Sequence, residues 1–325
     1  MIHAHTVSVI ICAYTEQRWS YLSAAVHSSS RQSYPAKEII VIIDHNPALF
    51  ERAKAAFPQA TVIENEYPQG ASGSRNSGIK VATGSIIACL DDDAIAAPDW
   101  IARLLEGYAD PKIMGTGGYI APRWPESGRP AWFPEEFNWV VGCSYRGLPT
   151  KEAPIRNLIG ANMSIRREIF EAVGGFRDGI GRVGRYPIGC EETELCIRAK
   201  QRFPDKHFLF VPQARVTQIV PTWRATVQYF RDRCYAEGLS KALITQYVGH
   251  RDGLADERTY AVSTLPRGVL RGLGDALRGD LSGLARAGAI VLGLFTTAAG
   301  YVAAQTQQFV PSNNKQQPPI TISSV

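Results

Sequence analysis

Short runs rich in β-branched residues recur at 7–11, 38–43, 61–64 and 85–90, and the stretches at 21–32 and 49–56 repeat apolar residues at helical spacing. Strands apolar on both faces, alternating with helices, predict a parallel doubly wound sheet over the first ~110 residues. After Leu90 the chain is polar up to Pro98. Ile101, Leu104, Leu105 and Tyr108 then follow helical spacing, with Pro98 suited to the first turn. The pattern reads as α/β: a Rossmann-like sheet with helices on both faces, followed by a helical C-terminal extension.

From 117 to 147 the pattern breaks, and Trp124, Trp132, Phe133 and Trp139 are interleaved with Pro122, Pro125, Pro130 and Pro134. This predicts a long, ordered, irregular segment. Its aromatic faces could stack a sugar or a lipid, although packing into the core is the commoner fate. Helical spacing returns at 166–173 and 191–202. Residues 287–304 carry no charge, and as a helix they would extend about 27 Å, the lower limit for a membrane span. Arg267, Arg271, Arg278 and Arg286 precede them, where the positive-inside rule would hold that flank in the cytoplasm. A buried or partner-facing helix is the competing reading. The remaining polar stretch reads as a disordered tail.

Composition narrows the class. The chain has 325 residues, 45% hydrophobic and 20% charged, enough for a full core and inconsistent with disorder over most of its length. A net charge of +5, scattered along the chain, lacks the basic stripe of a nucleic-acid binder. The six cysteines form no C-x-x-C pair, which points to buried free thiols in a reducing compartment and away from structural zinc. The N-terminus has no basic region, and 7–11 is too short for a signal peptide, so the first domain is expected in the cytosol.

In an open α/β sheet ligands bind beyond the carboxyl ends of the strands. Three polar clusters fall there: 13–16 with Thr15 and Glu16, 44–46 with Asp44, and the run Asp91, Asp92 and Asp93. Thr15 as a helix cap and Asp44 as a turn former are the bland readings. Taken together the clusters need something to offset their repulsion, and a divalent cation would do so. In an extended segment Asp91 and Asp93 share a face and suit Mg²⁺ or Mn²⁺ bridging phosphates, with Asp92 turned away toward a ribose. The Gly-rich stretch 65–78 opens a helix and could bring backbone N–H groups and Arg75 to a diphosphate. No P-loop or G-x-G-x-x-G is present, which counts against an ATPase or a dehydrogenase.

The segments VSVIICAYTE, EIIVIID, GASGSRNSGI, IIACLDDD, GANMSIRREIFEAVGGF and GCEETELCIRA resemble, in this order, those of family 2 glycosyltransferases of the GT-A fold. The resemblance covers 7–198 and, more weakly, extends to 242. It implies inverting transfer of a sugar from a nucleotide-diphosphate donor, a UDP-sugar being favoured. By it Thr15, Glu16 and Asp44 form the nucleotide cradle with Asp92, Arg75 and Asn76 lie on the base or ribose side, and Asp91 with Asp93 bind the metal. Asn162 would line the sugar and acceptor space. An inverting displacement needs a carboxylate to take the acceptor proton. The aligned pair is Glu191-Glu192, with Glu192 the candidate base and Glu191 the fallback, where the family usually carries Asp. Glu194 is better read as an i,i+4 partner of Arg198. Gln218 stands where many relatives carry His, so fewer protein ligands are expected at the metal. Arg231 and Arg233 could neutralise a diphosphate on donor or acceptor.

The chain is therefore expected to divide into a GT-A domain at 1–245, with a nucleotide-binding half at 1–115 and an acceptor-binding half at 116–245. A helical membrane-associated or partner-facing extension at 246–304 and a disordered tail at 305–325 would follow. The function expected is metal-dependent transfer to a glycan or polyprenyl-linked acceptor, with membrane contact, at the inner face of the cell membrane. A sugar nucleotidyltransferase and a non-catalytic sugar-nucleotide-binding protein are the alternatives. The first lacks its Gly- and Arg-rich loop after the first strand.

Overall fold

The computed structural model describes residues 5–181, 189–249 and 253–306. Strands β1 (Val7–Ala13), β2 (Glu38–Ile43), β3 (Thr61–Glu64) and β4 (Ile86–Asp91) form a parallel set, linked by helices α1 (Trp19–Ser30), α2 (Pro47–Ala56) and α3 (Ala71–Val81). Alternation along each strand divides the core in two. Val9, Ile11, Val41 and Ala88 face one side of the sheet; Ile10, Ile40, Ile42 and Ile87 face the other. Both faces are covered, as strands without polar alternation require.

Beyond β4 the sheet becomes mixed. A two-residue turn leads to β5 (Ala94–Ala96), then α4 (Trp100–Glu106), β6 (Ile113–Arg123), β7 (Ala153–Ile155), β8 (Asn162–Arg166), α5 (Arg167–Val173), α6 (Glu191–Arg202) and β9 (His207–Ile219). Among the described residues the strand order is β3-β2-β1-β4-β8-β6-β9-β5, with β7 on β9. β8 lies antiparallel between β4 and β6, and β9 curls far enough to pair with β5. The irregular segment packs inward: Phe133 and Phe137 are buried against Phe230, and Trp124, Trp132 and Trp139 lean on that cluster. The tryptophans thus follow the packing reading.

The C-terminal part is helical: α7 (Val227–Val248), α8 (Ala255–Thr259), a π-helical turn (Tyr260–Thr264), α9 (Leu265–Leu277) and α10 (Ser282–Thr306). α7 runs through position 245 without a break. α10 is longer than the uncharged stretch 287–304 and reaches Thr306; the rest of the expected tail lies outside the described residues. All six cysteines are free, five of them buried. Burial pushes the thiols of Cys89, Cys196 and Cys234 up to about 12.

Candidate active site

The parallel register sets Cys12 beside Ile42 and Asp91, so the ends of β1, β2 and β4 share one edge and bring Thr15, Asp44 and Asp91 to it. The three acids do not continue the strand. Asp92 and Asp93 form a turn, so Asp91 keeps a side chain 40% exposed while Asp92 and Asp93 are buried. The expectation that Asp91 and Asp93 share a face is corrected here, because it assumed an extended segment.

Arginines offset the acidic corner. Arg18 Nη1 lies 2.9 Å from Asp92 Oδ1 and 3.3 Å from Asp93 Oδ2. Arg224 Nη1 lies 3.4 Å from the same Asp93 oxygen, and Arg75 Nη2 lies 3.3 Å from Asp91 Oδ1. Pairing of Ala94 with Gln218 brings the Gln218 amide to Asp93 Oδ1, to which it donates. These three arginines therefore offset repulsion that the sequence reading assigned to a divalent ion alone. Asp92, expected to face a ribose, is turned onto Arg18. Burial, with Asp93 beside it, still pushes its carboxyl up to about 7, against the pull of Arg18.

The corner nonetheless fits a hard divalent ion. Asp92 Oδ2 and Gln218 Oε1 are buried acceptors without a donor, next to the half-exposed Asp91 carboxylate. Mg²⁺ and Mn²⁺ take oxygen ligands and keep several from phosphates and water. Among the described residues no three His, Cys, Asp or Glu side chains converge as a metal cage, so the protein would supply few of the ligands.

Asp44 ties down the Gly-rich loop. Its Oδ1 accepts from Asn65 Nδ2 at 2.7 Å and its Oδ2 from the Gly70 N–H at 3.0 Å. Gly70 takes φ +131°, a conformation open to glycine, and leads into α3. Gly73 leaves no room for a Cβ beside the Pro68 carbonyl. Thr15 accepts from the Gln17 N–H at 3.3 Å and caps the short turn Glu16–Arg18, while Glu16 is exposed, 4.0 Å from Arg52.

Two residues expected on the base or ribose side point elsewhere. The Asn76 amide is spent on both backbone groups of Phe176, at 2.8 Å each, deep in the interior. Arg75 is buried on α3 and reaches across to α6, donating to Glu191 Oε1 at 2.6 Å. Burial alone would lower its pKa; Glu191 and Asp91 more than reverse this and hold it charged.

Helix α6 is preceded by Cys190, which takes a left-handed φ of +73°. Glu191, Glu192 and Glu194 follow in its first turn, where the helix dipole favours negative charge. Glu191 is buried on Arg75. Glu194 is fully buried between Arg198, 2.8 Å away, and Arg177, 3.2 Å away, so its structural reading holds. Glu192 is only partly buried. Low solvation, then the neighbouring Glu191, push its carboxyl up to about 7, with Arg75 opposing. Such a group can accept a proton near neutral pH.

The acceptor-side expectations fare differently. Asn162 is fully buried and saturated: Oδ1 accepts from the Trp100 indole at 2.7 Å, and Nδ2 donates to Ala214 O at 2.9 Å and Tyr119 O at 3.2 Å. It locks three elements together and does not face a cleft, which corrects its reading as an acceptor contact. Arg231 sits on the exposed face of α7, 3.4 Å from Gln228. Arg233 is on the buried side, 3.1 Å from Glu237, with its Nε lacking an acceptor. The two arginines thus do not form a pair. Glu237 also accepts from the Cys190 thiol at 3.2 Å and meets Lys241 at 3.3 Å, and Lys241 meets Glu257 at 2.8 Å.

Arg18, Arg224 and Glu237 were missed from the sequence. Arg18 could have been found as the cation three residues after Thr15 in a strand-end loop. Arg224 carries no local signal, since it meets Asp93 only through the curl of β9, whereas Glu237 stands at i,i+4 spacing from both Arg233 and Lys241 within α7.

Comparison with known proteins identifies the family and the fold. The sequence pattern described as Glycosyl transferase family 2 matches residues 8–174. The glucosyl-dolichyl phosphate glucuronosyltransferase of Haloferax volcanii is 33% identical over 242 residues, covering 73% of this chain and 77% of that protein. An Escherichia coli UDP-Glc:alpha-D-GlcNAc-diphosphoundecaprenol beta-1,3-glucosyltransferase is 34% identical over 104 residues, 31% of this chain and 39% of that protein. Among solved structures, the Pyrobaculum calidifontis mannosyltransferase in complex with GDP-Man and Mn²⁺ superposes with a TM-score of 0.54 at 17% identity, covering 90% of this chain and 87% of that one. GalNAc-T7 with UDP, GalNAc and Mn²⁺ superposes at 0.52 and 23% identity, covering 73% of this chain and 48% of that one. The fold is GT-A.

Proposed function

This chain belongs to glycosyl transferase family 2 and is a glycosyltransferase; on that premise we propose that it is an inverting, metal-dependent enzyme moving a sugar from a nucleotide-diphosphate donor to a lipid-linked acceptor at the cytoplasmic membrane face. The alternatives of a nucleotidyltransferase and a non-catalytic binder give way to this membership. The observation that carries the reading is the Arg75 bridge. One guanidinium touches Asp91 at the nucleotide edge and Glu191 at the start of α6, so the donor side and the carboxylate pair are held one side chain apart.

In this mechanism Glu192 takes the proton of the attacking acceptor hydroxyl as the new glycosidic bond forms. The bond to the diphosphate breaks on the opposite face of the sugar, which inverts the anomeric carbon. Glu191, neutralised by Arg75, orients its neighbour. When bound, a Mg²⁺ or Mn²⁺ ion would be held by Asp91 beside the unpartnered oxygens of Asp92 and Gln218, in place of the expected Asp91–Asp93 pair, and would neutralise charge on the leaving group. Thr15, Glu16 and the loop anchored by Asp44 would receive the nucleotide. Relatives named for dolichyl- and undecaprenyl-linked acceptors support the lipid-linked class, and neighbours solved with UDP or GDP-Man and Mn²⁺ support donor and metal.

The test is turnover of labelled UDP- and GDP-sugars with Mn²⁺ and a polyprenyl-phosphate-linked sugar as acceptor. No transfer or hydrolysis of any donor overturns the reading.

A further inference from the structure

Helix α10 is long and apolar enough to cross a bilayer: 25 residues, about 37 Å at ~1.5 Å per residue, with a mean hydropathy of 1.7 over its most apolar window. Its packing argues against a crossing. Gly238 of α7 leaves no room for a Cβ beside the Thr297 carbonyl, nor Gly300 of α10 beside that of Tyr235, so the two backbones touch. Gly272 of α9 and Gly283 of α10 make a second such approach. The other side of α7 carries Arg233, Glu237 and Lys241, tied to Glu257 and through it to Arg156. Drawing α10 through a bilayer would either strip these contacts or take the charges with it, at several kcal/mol each.

The free side of the same hairpin is apolar. Leu270, Leu273 and Leu277 follow one face of α9 and are 67%, 42% and 90% exposed. Leu281, Leu284 and Phe295 continue the surface along the connection and α10 at 73%, 52% and 69%. Around this ridge the net outward charge is positive. Arg267 and Arg278 are exposed, while Asp275 and the exposed Asp280 are each paired with Arg286, at 2.8 and 2.7 Å, which offsets their charge. Leucines rimmed by arginine match acyl chains beneath anionic headgroups. A two-fold pairing with a second copy would set the basic rim against itself.

We infer that the α9–α10 hairpin is an in-plane membrane anchor, which lies on an anionic lipid surface through its leucine ridge and does not cross the bilayer. This deepens the membrane contact of the reading above and rests on it for the cytoplasmic side.

Flotation of the full chain with phosphatidylcholine vesicles, with and without phosphatidylglycerol, tests the contact. The protein is expected to float with the anionic vesicles, and L273D/L277D is expected to lose about tenfold in bound fraction. Its thermal melt should stay unchanged, because both positions are exposed. R267Q/R278Q is expected to erase the preference for phosphatidylglycerol. For topology, R278C and Q305C are compared with the wild type in sealed inside-out membrane vesicles from cells expressing the full chain. Both ends should react with an impermeant maleimide added outside; protection of Q305C alone means a crossing helix and overturns the inference. Failure to float, or a concentration-dependent dimer in its place, overturns it as well. Donor hydrolysis is measured on the same preparations without vesicles, so a failed anchor with intact hydrolysis leaves the transferase reading standing.

Discussion

The Arg75 guanidinium donates to Glu191 Oε1 at 2.6 Å, and this one contact assigns different work to two adjacent carboxylates. Glu191 is committed to a buried ion pair, which leaves Glu192 for the proton. We therefore expect E192Q to lower kcat by about 10²–10⁴-fold while donor binding, followed by thermal shift, stays intact. E191Q should instead weaken both folding and turnover, because it strips the buried Arg75 of its nearest charge. Equal effects of the two changes on kcat with no change in stability would remove the assignment.

Because burial and Glu191 raise Glu192 to about 7, the base is protonated in much of the enzyme at neutral pH. The kcat should rise with pH through about 7 and then level off. Stability should run the other way. A carboxyl with a raised folded pKa favours the fold below its unfolded value, near 4.5, and loses that contribution as pH rises through about 7. The melting temperature of E192Q should match the wild type at the acid end and exceed it increasingly up to about pH 7. A constant gap across that window would place the titration on another group.

Asp91 and Asp93 separate the ligand role from the structural one. Asp91 is 40% exposed with Arg75 at 3.3 Å, so D91A should cost no more than about 1 kcal/mol of stability. Asp93 is buried between Arg18 and Arg224, and D93A should cost ~3–5 kcal/mol by taking the carboxylate from the buried Arg224, while Arg18 keeps Asp92. Denaturant unfolding measures both. Calorimetry with UDP present should show Mn²⁺ uptake by the wild type that D91A, still folded, has lost.

What the sequence revealed and what it hid follow one physical division. The strands were legible because a parallel sheet covered on both faces needs unbroken β-branched runs, and 38–43 and 61–64 coincide with β2 and β3. The Glu194–Arg198 pair was legible because i,i+4 contacts are written in the spacing. The partners of the acidic run were not, since Arg224 and Gln218 reach it only after β9 curls back onto β5, and Arg18 only once β1 lies beside β4. A local reading saw repulsion without its remedy and supplied an ion. Asn162 misled for a related reason: the resemblance placed it at the sugar and acceptor space, and only the fold brings the Trp100 indole to it.

That buried role gives Asn162 its own prediction. N162A removes an acceptor from Trp100 and donors from Ala214 and Tyr119, which should cost about 3 kcal/mol of stability. The KM for acceptor should remain that of the wild type in whatever fraction stays folded. A raised acceptor KM with an unchanged unfolding midpoint would return the residue to the substrate.

The network from Cys190 to Glu257 should behave in acid as the mirror image of Glu192. Burial opposes ionisation of Glu257, but Lys241 at 2.8 Å and the Arg156 fork at 2.7 Å per bond overcome it and bring its carboxyl down to about 2. Glu237 is lowered likewise, with Lys241 and then Arg233 outweighing its burial. A carboxylate depressed in the fold stabilises it above the unfolded pKa, near 4.5, and that contribution fades as pH falls toward about 2. The wild type should therefore lose stability steeply below pH 4.5, and E257Q should lose less while starting about 2–3 kcal/mol lower at neutral pH. Because Glu237 also holds the Cys190 thiol at the left-handed start of α6, E237Q should lower kcat more than it changes the KM for donor. Acid unfolding curves with steady-state kinetics on the two variants decide it: parallel acid limbs for wild type and E257Q would show that the network carries no charge-dependent stability.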